Sequence, residues 1–439
     1  MDRFFHSVML VKELCVGCTN CIKRCPTQAI RVRDGKARII SERCIDCGEC
    51  IRVCPHHAKK AEHDSLDMLK NFTYNIALPA PSLYGQFNRL DDIDYVLNGL
   101  KALGFDDVFE VSRAAEIISD ATRQLIADGK LKKPVISSAC PAVVRLIRVR
   151  FPDLCDNVLP LVSPMELAAI LARKQAAEKG IPDEQIGVFF ISPCAAKVTD
   201  VRAPLSIEHS HVNGVLAISD IYPKLVSCMN KLKEVEPLAN SGIIGVSWSS
   251  IGGEAAGLLN ENHLAADGIE NVIKVLEELE DEKLQELDFI ELNACSGGCV
   301  GGIFAAENGY VAKARIKRLR KYLPVSCNRL NGSIGLKDIC WTEQLEYEPV
   351  MTLAENVEEA MRMMDKIDKI SAKLPKLDCG SCGAPTCRAL AEDIVKGLAQ
   401  ETDCIFLMRR EIQYIASQLT KLKGFIPDGN DDSKTGGQE

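Results

Sequence analysis

Three apolar runs in this chain each end in a cysteine, and together they limit its fold more than any other feature. Val135-Ile136-Ser137-Ser138-Ala139-Cys140-Pro141 is the first and Val188-Phe189-Phe190-Ile191-Ser192-Pro193-Cys194 the second. Phe289-Ile290-Glu291-Leu292-Asn293-Ala294-Cys295 is the third, and it continues through Ser296-Gly297-Gly298 to Cys299. Short apolar runs bounded by Ser, Pro and Gly read as buried strands. Each therefore delivers a thiol just past its C-terminal end, the edge at which open α/β sheets bind ligands. Cys140, Cys194, Cys295 and Cys299 are expected to converge on one buried metal centre.

The surrounding segment, 63–345, alternates such runs with helical stretches. Strands are expected at 75–79, 107–111, 133–138, 185–192, 215–219, 243–247 and 289–293, and helices at 91–103, 166–179 and 269–284. That alternation predicts α/β lobes with largely parallel strands. The pairs Gly252-Gly253 and Gly297-Gly298 mark tight turns or close backbone approach.

Cysteine spacing explains the two ends of the chain. Cys15-x2-Cys18-x2-Cys21-x3-Cys25-Pro26 is repeated as Cys44-x2-Cys47-x2-Cys50-x3-Cys54-Pro55. This is the bacterial ferredoxin run, in which the fourth cysteine of each run serves the other cluster. One [4Fe-4S] cluster is thus expected on Cys15, Cys18, Cys21 and Cys54, and another on Cys44, Cys47, Cys50 and Cys25, in an α+β domain spanning 1–62. An Asp34-Gly35 hairpin turn lies between them. His56 and His57 read as a solvated turn rather than ligands. A zinc module is the plainer alternative, but it would use four ligands per ion, not two interlocked runs. Near the other end, Cys379-x2-Cys382-x4-Cys387-x16-Cys404 is a third cluster motif in a small helical domain, 374–425, with a zinc ribbon as its alternative. A helical connector, 346–373, precedes it. The stripe Val357, Ala360, Met361, Met364, Ile367 and Ile370 reads as core or partner-helix packing, and Met363 and Met364 as gap-filling core rather than soft ligands. The remaining thiols, Cys155, Cys228, Cys327 and Cys340, share no spacing and are expected to be buried free thiols. A polar tail over 426–439 is expected to be disordered.

A net charge of −8 argues against a nucleic-acid binder, since little here would neutralise a phosphate backbone. Twenty cysteines, many of them in ligand-like spacings, an N-terminus without a signal-peptide pattern and no membrane-length apolar run point to a reducing, cytoplasmic setting away from membranes.

The ferredoxin runs followed in order by the three cysteine loops resemble the large subunit of the [FeFe]-hydrogenases over about residues 1–345. The family's first loop reads Thr-Ser-Cys-Cys-Pro against Ser137-Ser138-Ala139-Cys140-Pro141 here. Its second carries Pro-Cys-x-x-Lys, as Pro193-Cys194-Ala195-Ala196-Lys197 does, and its third Ala-Cys-Pro-Gly-Gly-Cys, matched by Ala294-Cys295-Ser296-Gly297-Gly298-Cys299. The resemblance implies a two-lobed α/β hydrogenase domain. It also implies an H-cluster whose [4Fe-4S] part sits on Cys140, Cys194, Cys295 and Cys299. Cys299 would bridge to a two-iron part bearing carbon monoxide, cyanide and a dithiolate, and Lys197, otherwise a surface lysine, would donate to a cyanide. The implied activity is reversible H2 oxidation and proton reduction. Its implied partners are ferredoxin or another redox protein and the maturation proteins that build the two-iron part.

Three departures shape the functional expectation. Ala139 stands where the family places a proton-relay cysteine. Ser192 and Asn293 replace methionines beside the second and third loops. Thr122 and Leu125 occupy the segment expected to carry relay glutamates. Glu116, Glu166 and Glu254 are candidate substitutes, each otherwise a solvated or paired surface carboxylate. Loss of the relay and the extra cluster resemble the sensory members of the family. Some of those continue into a PAS domain; this chain ends before one, so a signal is expected to leave through the third cluster, the terminal helices or a signalling partner. The competing readings are a metabolic ferredoxin-linked hydrogenase with a different proton pathway and a non-catalytic iron–sulfur carrier.

Overall fold

The computed structural model describes residues 4–330, 334–350, 352–354 and 356–423, so the tail expected over 426–439 lies outside the described residues. In the N-terminal segment, Val8–Leu10 pairs antiparallel with Lys59–Ala61, and Ile30–Arg33 with Lys36–Ile39. Two one-turn helices, Asn20–Lys23 and Glu49–Arg52, lie between them. Asp34 and Gly35 both have positive φ, 53° and 70°, as the tight hairpin turn requires.

The middle of the chain holds two parallel sheets. One has the strand order Asp107–Val108, Tyr74–Pro79, Ile186–Ser192, Gly214–Ala217, and the other His263–Asp267, Phe289–Asn293, Val135–Ile136. Ile186–Ser192 is buried along its whole length, which is why it reads as a continuous apolar run. Helices Val111–Ala127 and Pro164–Glu178 cover the first sheet, and Ile269–Glu280 and Pro141–Arg150 the second. All three cysteine loops leave the C-terminal ends of strands, and those ends face one another.

Several expected strands are shorter than their apolar runs, because the chain turns at once into a helix. Val111 and Ile218 begin helices rather than end strands. The run Ile243–Ser247 is a helix, not a strand. Gly245 presses its backbone against Ser112 in helix Val111–Ala127, and Ser247 donates its hydroxyl back to the Ile243 carbonyl, a helical i−4 bond. Strand His263–Asp267 went unread because it is an edge strand with only partial burial and polar ends.

The C-terminal segment packs helix Val357–Lys373 against Cys387–Val395, followed by Ile405–Lys423. The expected core stripe is only partly covered. Ile367 is fully buried, whereas Val357, Met361 and Met364 are exposed. The four leftover thiols also differ from expectation: none is buried and Cys327 is exposed, because they sit at helix ends and in loops rather than in the cores. Among the described residues, no helix is long and apolar enough to cross a membrane.

Candidate metal centre

The facing strand ends enclose a cavity of about 100 Å³. Cys140, Cys194, Cys295 and Cys299 all line it, with Lys197, Ala139 and Asn293; the rest of the wall is largely apolar and includes Val111, Met165, Phe190 and Trp248. Cys299 keeps accessible surface although protein surrounds it, because that surface faces the cavity. Positive φ values of 85° and 90° at Gly297 and Gly298 bend the third loop around the site. A side chain at Gly298 would strike the Ile251 amide at 2.5 Å, so only glycine fits there.

Burial raises the pKa of the Cys194 and Cys299 thiols, and the neighbouring thiols raise it further. Four desolvated thiolates would repel one another unless a cationic group stood between them. Lys197 is buried rather than on the surface. Burial pulls its pKa down, but Asp200 at 2.9 Å and the thiols Cys194 and Cys140 outweigh that and raise it. Ser192 is not in the cavity wall. Its hydroxyl accepts the Cys194 amide at 3.0 Å and so sets the turn that presents the thiol.

A polar chain lies behind Ala139. The Ser137 hydroxyl accepts the Ala139 amide at 3.2 Å and donates to Glu254 at 2.7 Å. Glu254 is electrostatically coupled to Glu291, whose carboxylate accepts the Gly252 and Ala255 amides and the Asn293 side chain. Burial, reinforced by Glu291, pushes the Glu254 carboxyl well above its ordinary range. Glu116, Glu166 and Glu254 are all buried, in place of the surface positions expected of them. Glu116 accepts from Gly242, Cys327 and Asn328 and staples a loop. Glu166 accepts from Ser210 and His211. Thr122 bonds its own helix at the Ile118 carbonyl, and Leu125 is partly buried; neither replaces a relay carboxylate.

The N-terminal segment contains two smaller cavities. One is ringed by Cys15, Cys18, Cys21 and Cys54, the other by Cys25, Cys44, Cys47 and Cys50, the interlocked sets expected from the spacing. Backbone amides point at the sulfurs: Ala29 to Cys25 at 3.2 Å, Ala37 to Cys15 at 3.4 Å and Ala58 to Cys54 at 3.3 Å. Zinc with Zn–S bonds of about 2.3 Å would hold its sulfurs roughly 3.8 Å apart. Among the described residues, the one group of ligating atoms lying within 4.8 Å of one another is His6, Cys44 and Asp46, which contains a single thiol. The thiol sets are therefore too wide for one ion and suit a larger cluster. Cys404 is buried, with Cys382 and Cys387 packed around the same small core, and Cys379 is half-buried.

Sequence reasoning missed the residues that join these sites. Arg52, at the end of helix Glu49–Arg52, donates to the Cys295 sulfur at 3.0 Å and to the Gly301 carbonyl at 2.8 Å. Asp46 accepts from the Ser7 and Val8 amides and from the Thr199 hydroxyl, on the helix that carries Lys197. Arg31 and Arg33 both bond Asp393 in the C-terminal segment, at 2.7 and 2.6 Å. No local motif announces such partners, which lie far apart in sequence.

Comparison with known proteins agrees with this architecture. Residues 7–55 match a 4Fe-4S dicluster domain, and residues 374–406 an Fe-S cluster family. The NADP-reducing hydrogenase subunit HndD of Solidesulfovibrio fructosivorans is 24% identical over 50% of this chain and 37% of its own length. The periplasmic [Fe] hydrogenase large subunit of Nitratidesulfovibrio vulgaris is 28% identical over 44% of this chain and 50% of its own. The chain thus spans half or less of the curated relatives it matches. A solved variant of the [FeFe]-hydrogenase HydA1 from Chlamydomonas reinhardtii overlaps 56% of this chain and 84% of that one, at 17% identity and a TM-score of 0.44. Residues 73–303, a little over half of the chain, match the iron only hydrogenase large subunit, C-terminal domain, and the chain belongs to that family.

Proposed function

We propose that this protein is an [FeFe]-hydrogenase with slow turnover that serves as an H2 or redox sensor. One observation carries the reading. Among the described residues lining the cavity, the only ionisable side chains are Lys197 and the four thiols; Ala139 fills the place where the resemblance puts a relay cysteine. Cys140, Cys194, Cys295 and Cys299 would hold the cubane part of an H-cluster, and Cys299 would also bridge to the two-iron part. When bound, that group supplies heterolytic H2 cleavage and electron storage. The chain's own contribution is ligation, orientation and a dry wall. Lys197 offers donors to the cavity, one of which is already committed to Asp200. Asn293 links the wall to the Glu291–Glu254 pair, but Ala139 cannot pass a proton from the cavity to Ser137.

A missing positioned acid–base group costs roughly 10²–10⁴-fold in rate. The fully maturated protein is therefore expected to turn over slowly, and Ala139→Cys to recover a large part of that factor. Turnover as fast as that of relay-bearing family members, or no gain in the variant, would refute the proposal. Infrared bands of iron-bound carbon monoxide and cyanide distinguish it from a non-catalytic iron–sulfur carrier, which would show none. The chain Ser137–Glu254–Glu291 favours a second reading, a metabolic ferredoxin-linked hydrogenase that moves protons through these carboxyls; rapid H2 evolution from reduced ferredoxin would support it. The proposal extends to a cytoplasmic setting, to maturation proteins and to a redox or signalling partner that receives electrons.

A further inference from the structure

The N-terminal segment repeats itself in structure as well as in cysteine spacing. Cys25-Pro26-Thr27-Gln28-Ala29-Ile30 and Cys54-Pro55-His56-His57-Ala58-Lys59 are equivalent stretches. Gln28 and His57 both take left-handed φ values, 52° and 49°. Ala29 and Ala58 each donate an amide to the cysteine four residues earlier. Ile30 and Lys59 each open a strand, and each is 2% exposed. The symmetry breaks only in chemistry. One half places an apolar side chain in the core; the other places a lysine whose Nζ is buried without a hydrogen-bond partner.

A buried, unpartnered lysine head is costly unless something anionic sits against it. Lys59 lines the cavity ringed by Cys15, Cys18, Cys21 and Cys54. We infer that Lys59 is a redox-tuning residue, which donates into the cavity ringed by Cys15, Cys18, Cys21 and Cys54 and raises the reduction potential of the cluster held there. One-electron uptake makes a site one unit more negative, and a fixed donor beside it favours that reduced form. The inference rests on the assignment of [4Fe-4S] clusters to this segment, not on the sensor reading.

The test uses the full chain carrying its iron–sulfur clusters but not the two-iron part, so that no turnover disturbs it. Iron and sulfide content come first; a native chain that binds no clusters there would overturn the assignment and the inference together. Potentials are then read by paramagnetic-resonance titration, following the signals that Cys18→Ala alters. Lys59→Met keeps the length of the side chain, and Lys59→Ile copies its symmetry mate; both are expected to assemble clusters normally. At its native midpoint, the cluster of the Cys18 set is expected to show a roughly tenfold lower ratio of reduced to oxidised form in both variants, about 59 mV for a one-electron couple. Lys59→Arg is expected to restore the native value. Unchanged potentials in both the Met and Ile variants, with clusters assembled, would leave Lys59 as mere packing and sink the inference.

Discussion

At Glu254, burial and a neighbouring acid act in the same direction. Both raise its pKa well above the ordinary 4.5, and the Ser137 hydroxyl opposes them without prevailing. The folded chain therefore keeps a proton there that the unfolded chain has released. Wherever the folded state binds more protons, stability falls as pH rises. The contribution is fully present below the ordinary carboxyl range and is lost as pH climbs toward the raised value, by up to about 1.4 kcal/mol per pH unit for one proton. Glu254→Gln is expected to flatten this part of the dependence of stability on pH, measured by thermal unfolding across pH 5–8; an unchanged slope would mean that the proton sits elsewhere. The same carboxyl accepts the Ser137 hydroxyl, beside the cavity. If it serves the slow turnover, Glu254→Gln lowers the rate by roughly 10²–10⁴-fold and alters the pH–rate profile.

Among the elements, the hairpin Ile30–Arg33/Lys36–Ile39 does most to fix the arrangement of the chain. Val32 donates its amide to Gly383 at 2.8 Å, and Arg33 donates to the Cys382 carbonyl at 2.9 Å, so the third cysteine motif rests directly on the ferredoxin segment. Asp393 closes the contact by pairing with Arg31, both buried, and with the partly buried Arg33. Removing one member of a buried ionic group costs about 3–5 kcal/mol, because the others are left charged and unpaired. Asp393→Ala is expected to release the C-terminal segment, seen as faster hydrogen exchange in 374–406 and in the hairpin; native-like protection would show that the cysteine-loop contacts hold it alone. This docking could not be read from the sequence, because Arg31 and Asp393 stand 362 positions apart. The cysteine loops could be read, because a strand, its turn and its thiol are contiguous. Ile243–Ser247 was misread for a related reason: five apolar residues suit a strand or a helix equally, and only the close approach of Gly245 to helix Val111–Ala127 decides. Likewise Glu116 looked like a surface carboxylate until residues 242 and 327–328 folded over it.

Across the whole molecule, contacts string the four cysteine sets into one line. Gly380 in the third motif lies against Ile22 and Lys23, in the helix that carries Cys21. The pseudo-equivalent helix carries Cys50 and ends in Arg52, which touches Cys295 at the central cavity. A donor on a sulfur that holds a cluster would favour the reduced site, so under the proposed assignment Arg52 would couple the inner ferredoxin site to the cavity electrically as well as mechanically. On the proposed hydrogenase function, electrons released at the cavity would pass through the ferredoxin segment to the C-terminal motif, and the surface beyond that motif would be where a partner collects them. Exposed Cys18 offers a competing exit directly from the ferredoxin segment. The two routes separate on a Cys382→Ala change, which removes one thiol of the C-terminal set and leaves the other three sets intact. If electrons leave by the C-terminal motif, the variant under H2 still reduces its ferredoxin clusters, as read by paramagnetic resonance, but loses most of its reduction of an external one-electron acceptor. An acceptor rate equal to the native one would place the exit at Cys18 and leave the third motif a structural role.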